Sequence, residues 1–128
     1  MPKNAIIYAR YSTDLQNEET IDAQISACHD YAERQGWIVE QVFSDKAVTG
    51  TSFKSRPGIQ NLLRRVKQGG VDIVLCTATD RLSRDSEHSH HIYKTLTHHR
   101  IELHTSQSGK VNSLEFGLRA TIAQDFIA

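Results

Sequence analysis

The sequence predicts an α/β domain, a mostly parallel sheet of four to five strands with helices on both faces. Three observations lead there. Short apolar or β-branched runs recur along the chain, each too short for a helix core. Stretches with apolar residues at helical spacing lie between them. Glycine or polar breaks separate the two kinds of segment. The resulting order, β-α-β-α-β-α-β-α, makes a parallel sheet, and right-handed crossovers distribute the helices over it.

Ala5-Ile6-Ile7-Tyr8-Ala9 reads as a buried first strand, followed by a polar stretch from Arg10 to Glu19. Ile21, Ile25, Cys28 and Ala32 recur at helical spacing, and Gly36 supplies a stop. Trp37 to Phe43 is β-branched and aromatic, a second strand, and Ser44 to Ser55 is a long polar loop. Ser55 and Pro57 announce the next helix by cap and first-turn chemistry. Its stripe is Ile59, Leu62, Leu63 and Val66, core-facing by spacing, and Gly69-Gly70 ends it. Val71 to Cys76 is a third strand, Thr77 to Asp85 a loop, and residues 86–99 a histidine-rich helix. Ile101 to Thr105 is a fourth strand. Asn112 with Glu115 resembles a capping box, opening a last helix striped by Leu114, Leu118, Ile122 and Phe126. That stripe fits either a subunit interface or the domain's own core. The helix meets no stop before Ala128, which reads as a cut inside an element, so the chain is expected to be a piece of a longer protein.

Composition narrows the function. A chain of 128 residues fits one domain. Apolar residues make up 38% and charged residues 23%, a globular mixture. Fifteen Lys and Arg balance fifteen Asp and Glu, which excludes a generic basic sponge for nucleic acid but not a few clustered arginines. Cys28 and Cys76 are too few for a disulfide scaffold and fall in apolar patterns, as reduced core thiols do. No apolar run approaches the ~18 residues of a membrane span, and the expected compartment is the cytoplasm. His88, His90, His91, His98 and His99 crowd one helix, with His104 beyond it, but no spacing completes a metal set. They read as a solvated face, and no metal is expected.

The chemistry gathers in two segments that leave carboxyl ends of strands, where open α/β sheets place their sites. The first, Tyr8-Ala9-Arg10-Tyr11-Ser12-Thr13, holds a hydroxyl two residues beyond an arginine. The second, Asp80-Arg81-Leu82-Ser83-Arg84, puts two guanidiniums three residues apart beside a carboxylate that can orient one or handle a proton. Arg56 stands at a helix start, which itself favours anions. Arginines around one hydroxyl imply a phosphate, since guanidinium is planar, permanently charged and bidentate. Neither a Walker loop nor G-x-G-x-x-G is present, so no nucleotide cofactor is expected.

These segments, with Gln24 in Ile21-Asp22-Ala23-Gln24, Asp45-Lys46-Ala47-Val48-Thr49-Gly50 and Arg56-Pro57-Gly58, resemble the catalytic domain of serine site-specific recombinases, the resolvase/invertase family. The match runs through nearly the whole chain, and it implies that residues 1–128 are the catalytic domain, cut within its last helix, without the DNA-binding region and inactive as an isolated fragment. The drawn-out stretch between Ser12 and Gln24 is more similar to the large serine recombinases than to the small resolvases. The resemblance implies cleavage and rejoining of double-stranded DNA through a 5′-phosphoserine link, without metal, nucleotide or other cofactor. It implies a homo-oligomer, a dimer on each site and a tetramer in synapsis. It makes Ser12 the nucleophile, Arg10, Arg81 and Arg84 the phosphate ligands and Asp80 an assistant, with Gln24, Arg56 and Tyr8 in the pocket. Thr49 stands where relatives often carry serine, which retains the hydroxyl.

Two other classes stand beside this reading. One is a non-catalytic phosphate-binding or regulatory module that keeps the fold. The other is a small phosphoryl-transfer hydrolase using Ser12 on a low-molecular-weight substrate. An intact polar set speaks against the first. Against the second, no water-activating base or metal set stands out near Ser12.

Overall fold

The computed structural model describes residues 2–12, 20–47, 57–82 and 86–111, with the main chain alone at 11, 12, 46, 47, 80 and 86–88. In chain order the elements are β1 (Asn4–Ser12), α1 (Ile21–Gln35), β2 (Ile38–Ala47), α2 (Pro57–Lys67), β3 (Ile73–Cys76), a 3₁₀ turn (Thr79–Arg81), α3 (Ser86–His98), β4 (Glu102–Thr105) and β5 (Gly109–Val111). The sheet order is β2-β1-β3-β4-β5. The first four strands are parallel, and β5 runs antiparallel to β4. The α/β class, the strand number and the mostly parallel sheet agree with the expectation.

Alternation along β1 divides the core, because successive strand side chains point to opposite faces. Ala5 and Ile7 pack with Cys28 and Ala32 of α1 and with Ile73 and Leu75 of β3. Ile6 and Tyr8 pack with Ile59, Leu62, Leu63 and Val66 of α2 and Ile92 and Leu96 of α3. Helices thus cover both faces, α1 on one and α2 with α3 on the other. Each fully buried Leu or Ile contributes about 1.5–3 kcal/mol of transfer free energy.

The helix ends follow local chemistry. The Thr20 hydroxyl accepts from the Ala23 amide at the start of α1. Gly36 takes the left-handed conformation, φ 77°, that closes it. The end of α3 carries no glycine, and Arg100 adopts φ 59° there instead, letting the Ile101 amide donate to the Leu96 carbonyl. That closure overrides the ordinary preference for glycine, which is why its position is not marked in the sequence.

Two expectations change. β1 runs on through Ser12, so residues 10–12 are strand and not loop. Pairing with β2 explains this, since the ladder continues to Ser12↔Ala47, well past the apolar run. β2 likewise extends to Ala47. β5 lies between Thr105 and Asn112, where the sequence marks no element, because its three residues, Gly-Lys-Val, carry no periodic pattern and become strand only by pairing with β4. The expected last helix, with its stripe and its alternatives of core or interface, lies outside the described residues.

At the amino ends of the strands, Glu40 is the extra residue where the β1–β2 register shifts. Its carboxylate accepts from Arg65 Nε at 2.8 Å and Nη2 at 2.7 Å and from Asn4 Nδ2 at 2.8 Å. The Arg65 guanidinium, with the Asn4 amide, holds that carboxyl below the usual carboxylate range.

Candidate active site

β1 and β3 are neighbours, yet the chain leaves β1 towards β2 on one side and β3 towards β4 on the other. Their carboxyl ends therefore form the switch point of the sheet, where such folds hold ligands. The two sequence segments singled out for chemistry leave the sheet there.

Arg10 is the meeting point. It continues the Ile6–Tyr8 period and is 1% exposed. A buried guanidinium is costly unless its donors are used. Arg10 Nε donates to the carbonyl of Arg81 at 3.3 Å, which joins the exit of β1 to the 3₁₀ turn after β3. Leu82, fully buried in the α2–α3 core, anchors that turn from below. Gln24, also fully buried, takes both main-chain polar groups of Arg10. The Arg10 amide donates to Oε1 at 3.1 Å, and Nε2 donates to the Arg10 carbonyl at 2.8 Å.

Tyr8 lies in the core beneath, and its hydroxyl donates to Asp45 Oδ2 at 2.7 Å. Asp45, opposite Arg10 on β2, is 4% exposed. Its carboxylate also accepts the amides of Gly58 at 2.7 Å and Ile59 at 3.0 Å. These are first-turn amides of α2, which has no intrahelical partners for them and no acidic residue of its own in that turn. Where the sequence offers Ser55 as the cap, Asp45 reaches across from β2 and occupies those amides.

Of the sequence-predicted residues, the fold brings Tyr8, Arg10, Gln24 and the main chain of Arg81 to one end of the sheet. Ser12 ends β1 and is paired through its main chain with Ala47. Asp80 is in the 3₁₀ turn. Thr49, Arg56 and Arg84 lie outside the described residues. Asp45 and Gly58 are given no role by the sequence argument. The available signs were the absence of an acidic first turn in α2 and a glycine just after the helix-starting proline.

Asp45→Asn is expected to be poorly tolerated. Either orientation of the amide aims an NH₂ at a backbone N–H, of Gly58 or of Ile59. Losing a charge-assisted bond and opposing two donors costs on the order of 3 kcal/mol. Urea denaturation should show a lower midpoint at an unchanged slope, whereas an unmoved midpoint would remove Asp45 from this role.

A sequence description of the family "Resolvase, N terminal domain" matches residues 5–124. The chain belongs to the resolvase family of serine recombinases. The N-terminal catalytic domain of TP901-1 integrase is 29% identical, with a TM-score of 0.74, covering 98% of this chain and 94% of that one. The C-terminal catalytic domain of ISC1926 TnpA, an IS607-like serine recombinase, is 28% identical with a TM-score of 0.70, covering 97% and 78%. A resolvase family site-specific recombinase from Streptococcus pneumoniae shares the fold at 19% identity, with a TM-score of 0.74 and coverage of 98% and 88%. No functionally curated protein matches the chain. Membership in the resolvase family assigns the domain to site-specific recombination. Similarity to the catalytic domains of an integrase and of an IS607-like serine recombinase agrees with the large serine recombinase class.

Among the described residues no three His, Cys, Asp or Glu side chains are grouped to hold a metal ion, and no helix is long and apolar enough to cross a membrane. His90, His91 and His98 are exposed on α3. His104 differs from them. It is 8% exposed on β4, its ring edge-on to Trp37 at 4.7 Å and its Nε2 3.0 Å from Glu102 Oε1. The hydrogen bond to His104, aided by Lys110 and Lys3, holds the Glu102 carboxyl below its usual range.

Proposed function

We propose that this domain cuts and rejoins double-stranded DNA with Ser12 as nucleophile, through a 5′-phosphoserine intermediate and without metal or nucleotide. The Ser12 hydroxyl oxygen bonds to phosphorus as the bond to the 3′ oxygen breaks. The serine proton passes to solvent water, and the departing 3′ oxygen takes a proton from a general acid, the role the motif offers to Asp80. In rejoining, the 3′-hydroxyl attacks the phosphoserine and releases Ser12. The phosphoester preserves the energy of the cut strand, so no ATP is needed. Arg10, Arg81 and Arg84 neutralise charge that grows on the phosphoryl oxygens, with Arg56 and the Thr49 hydroxyl beside them. The active assembly is a dimer on each DNA site and a tetramer in synapsis.

One observation carries this reading. The Arg10 side chain touches the main chain of Arg81, so the exit of β1, which ends in Ser12, and the Asp80-Arg81-Leu82 turn occupy one place in the fold.

The test is covalent capture. The full-length protein is incubated with a pool of nicked random-sequence duplexes and resolved on a denaturing gel. The expected product is a protein–DNA adduct whose digest carries phosphoserine at position 12. Duplex retention with no covalent adduct at any concentration would support the non-catalytic module instead. Hydrolysis of a small phosphodiester without DNA capture would support the hydrolase.

A further inference from the structure

The two sides of β1 are not equally partnered. Its ladder with β2 continues to Ser12↔Ala47, whereas its ladder with β3 stops at Ile7↔Leu75. β3 itself ends at Cys76, and the chain turns into Thr79–Arg81. Beyond Ile7, β1 therefore projects past the neighbour that held it, and its last residues are those of the site. Peptide groups there need partners from elsewhere, since unpaired buried ones are costly.

Gln24 provides them at Arg10. A primary amide carries one carbonyl and one N–H side by side, as a strand's backbone does. Oε1 accepts the Arg10 amide at 3.1 Å and Nε2 donates to the Arg10 carbonyl at 2.8 Å, which makes one rung of a ladder from a side chain. Gln24 is fully buried in the first turns of α1, and that helix start is held by the Thr20 cap. The rung is thus anchored to a rigid element, two residues before Ser12.

We propose that Gln24 is a positioning residue for Ser12. By replacing the rung that β3 no longer supplies, it keeps β1 extended to its end and holds the nucleophile at the switch point. It acts through the main chain of Arg10 and not by contact with the phosphate. This rests on the reading of Ser12 as nucleophile. Placement matters because displacement of a reacting group by ~1 Å can cost 10²-fold in rate.

The test is Gln24→Glu, assayed at a pH high enough to ionise the new carboxyl, so that size and the acceptor are kept but the donor to the Arg10 carbonyl is lost. Covalent capture of the nicked duplex pool is measured against DNA concentration at a temperature well below melting. The expected result is a saturating capture rate about 10²-fold lower, with the half-saturating DNA concentration within twofold of wild type. Hydrogen exchange of the Arg10 amide should also quicken. Should Gln24→Glu fail to fold, Gln24→Met, which keeps the bulk and lacks both polar atoms, must give the same split. A half-saturating concentration raised tenfold at an unchanged saturating rate would show DNA contact and overturn the proposal. An unchanged rate beside normal wild-type capture would overturn it alone. Absence of capture by the full-length wild-type protein would remove the Ser12 reading and this proposal with it.

Discussion

Ser12→Ala is expected to abolish covalent DNA capture while leaving the fold as it is. The change removes one oxygen from the end of β1, where the main chain is held by Ala47 on β2 and, two residues earlier, by Gln24. Those contacts do not involve the hydroxyl, so the thermal midpoint should correspond to a change within about 0.5 kcal/mol. The chemical effect is total, because a phosphoester link requires the nucleophilic oxygen. Tyr11 carries the neighbouring hydroxyl on β1, but in-line attack needs reacting atoms about 3–3.5 Å apart and aligned, which adjacent positions on a strand do not share. Retention of duplex by Ser12→Ala should match wild type. An adduct of undiminished yield from Ser12→Ala would move the nucleophile elsewhere. Loss of both retention and melting transition would mean that the serine has a structural task.

Gly58→Ala is expected to cost more stability than any other one-methyl change near the site. A Cβ there would stand 2.4 Å from the Ser44 carbonyl oxygen and 2.8 Å from Asp45 Oδ2. The first contact is backbone, which cannot swing aside, and the second is the group that caps α2. Relief requires α2 to move off the end of β2, and that movement stretches the bonds from Asp45 to the Gly58 and Ile59 amides. Overpacking of this kind costs about 1–3 kcal/mol, and weakening two charge-assisted bonds adds a similar amount. For a domain of this size the melting temperature should fall on the order of 10 °C. Calorimetry of Gly58→Ala beside Gly36→Ala separates crowding from backbone strain. Gly36 has a positive φ but nothing within 4 Å of a built Cβ. A smaller loss at position 58 than at position 36 would contradict the close approach.

The two cases show which information a linear chain carries. Elements with their own period or their own punctuation are legible, as in α2 with Ile59, Leu62, Leu63 and Val66, or α1 with its stop at Gly36. The alternation of those elements decides the fold class, and the carboxyl-end rule for parallel sheets then unites Arg10 with the Asp80-Arg81-Leu82 segment although seventy residues separate them. Strand extent is different. β1 continues through Ser12 and β5 exists at all only because a neighbouring strand offers hydrogen bonds, and hydrogen bonds between strands are not written in either strand alone.

Periodicity, punctuation and motif resemblance were thus enough for the α/β class, for the order of elements from β1 to β4, and for picking out Tyr8, Arg10, Gln24 and Arg81, whose side or main chains meet at one end of the sheet. What Gln24 and Asp45 hold followed from packing. Gln24 and Asp45 are polar side chains fully or almost fully buried, and burial obliges them to find partners among whatever backbone groups the packing leaves unpaired. Those groups are the main chain of Arg10 past the end of β3 and the first amides of α2. Which groups remain unpaired depends on where strands stop and helices begin relative to one another, a property of the assembled sheet.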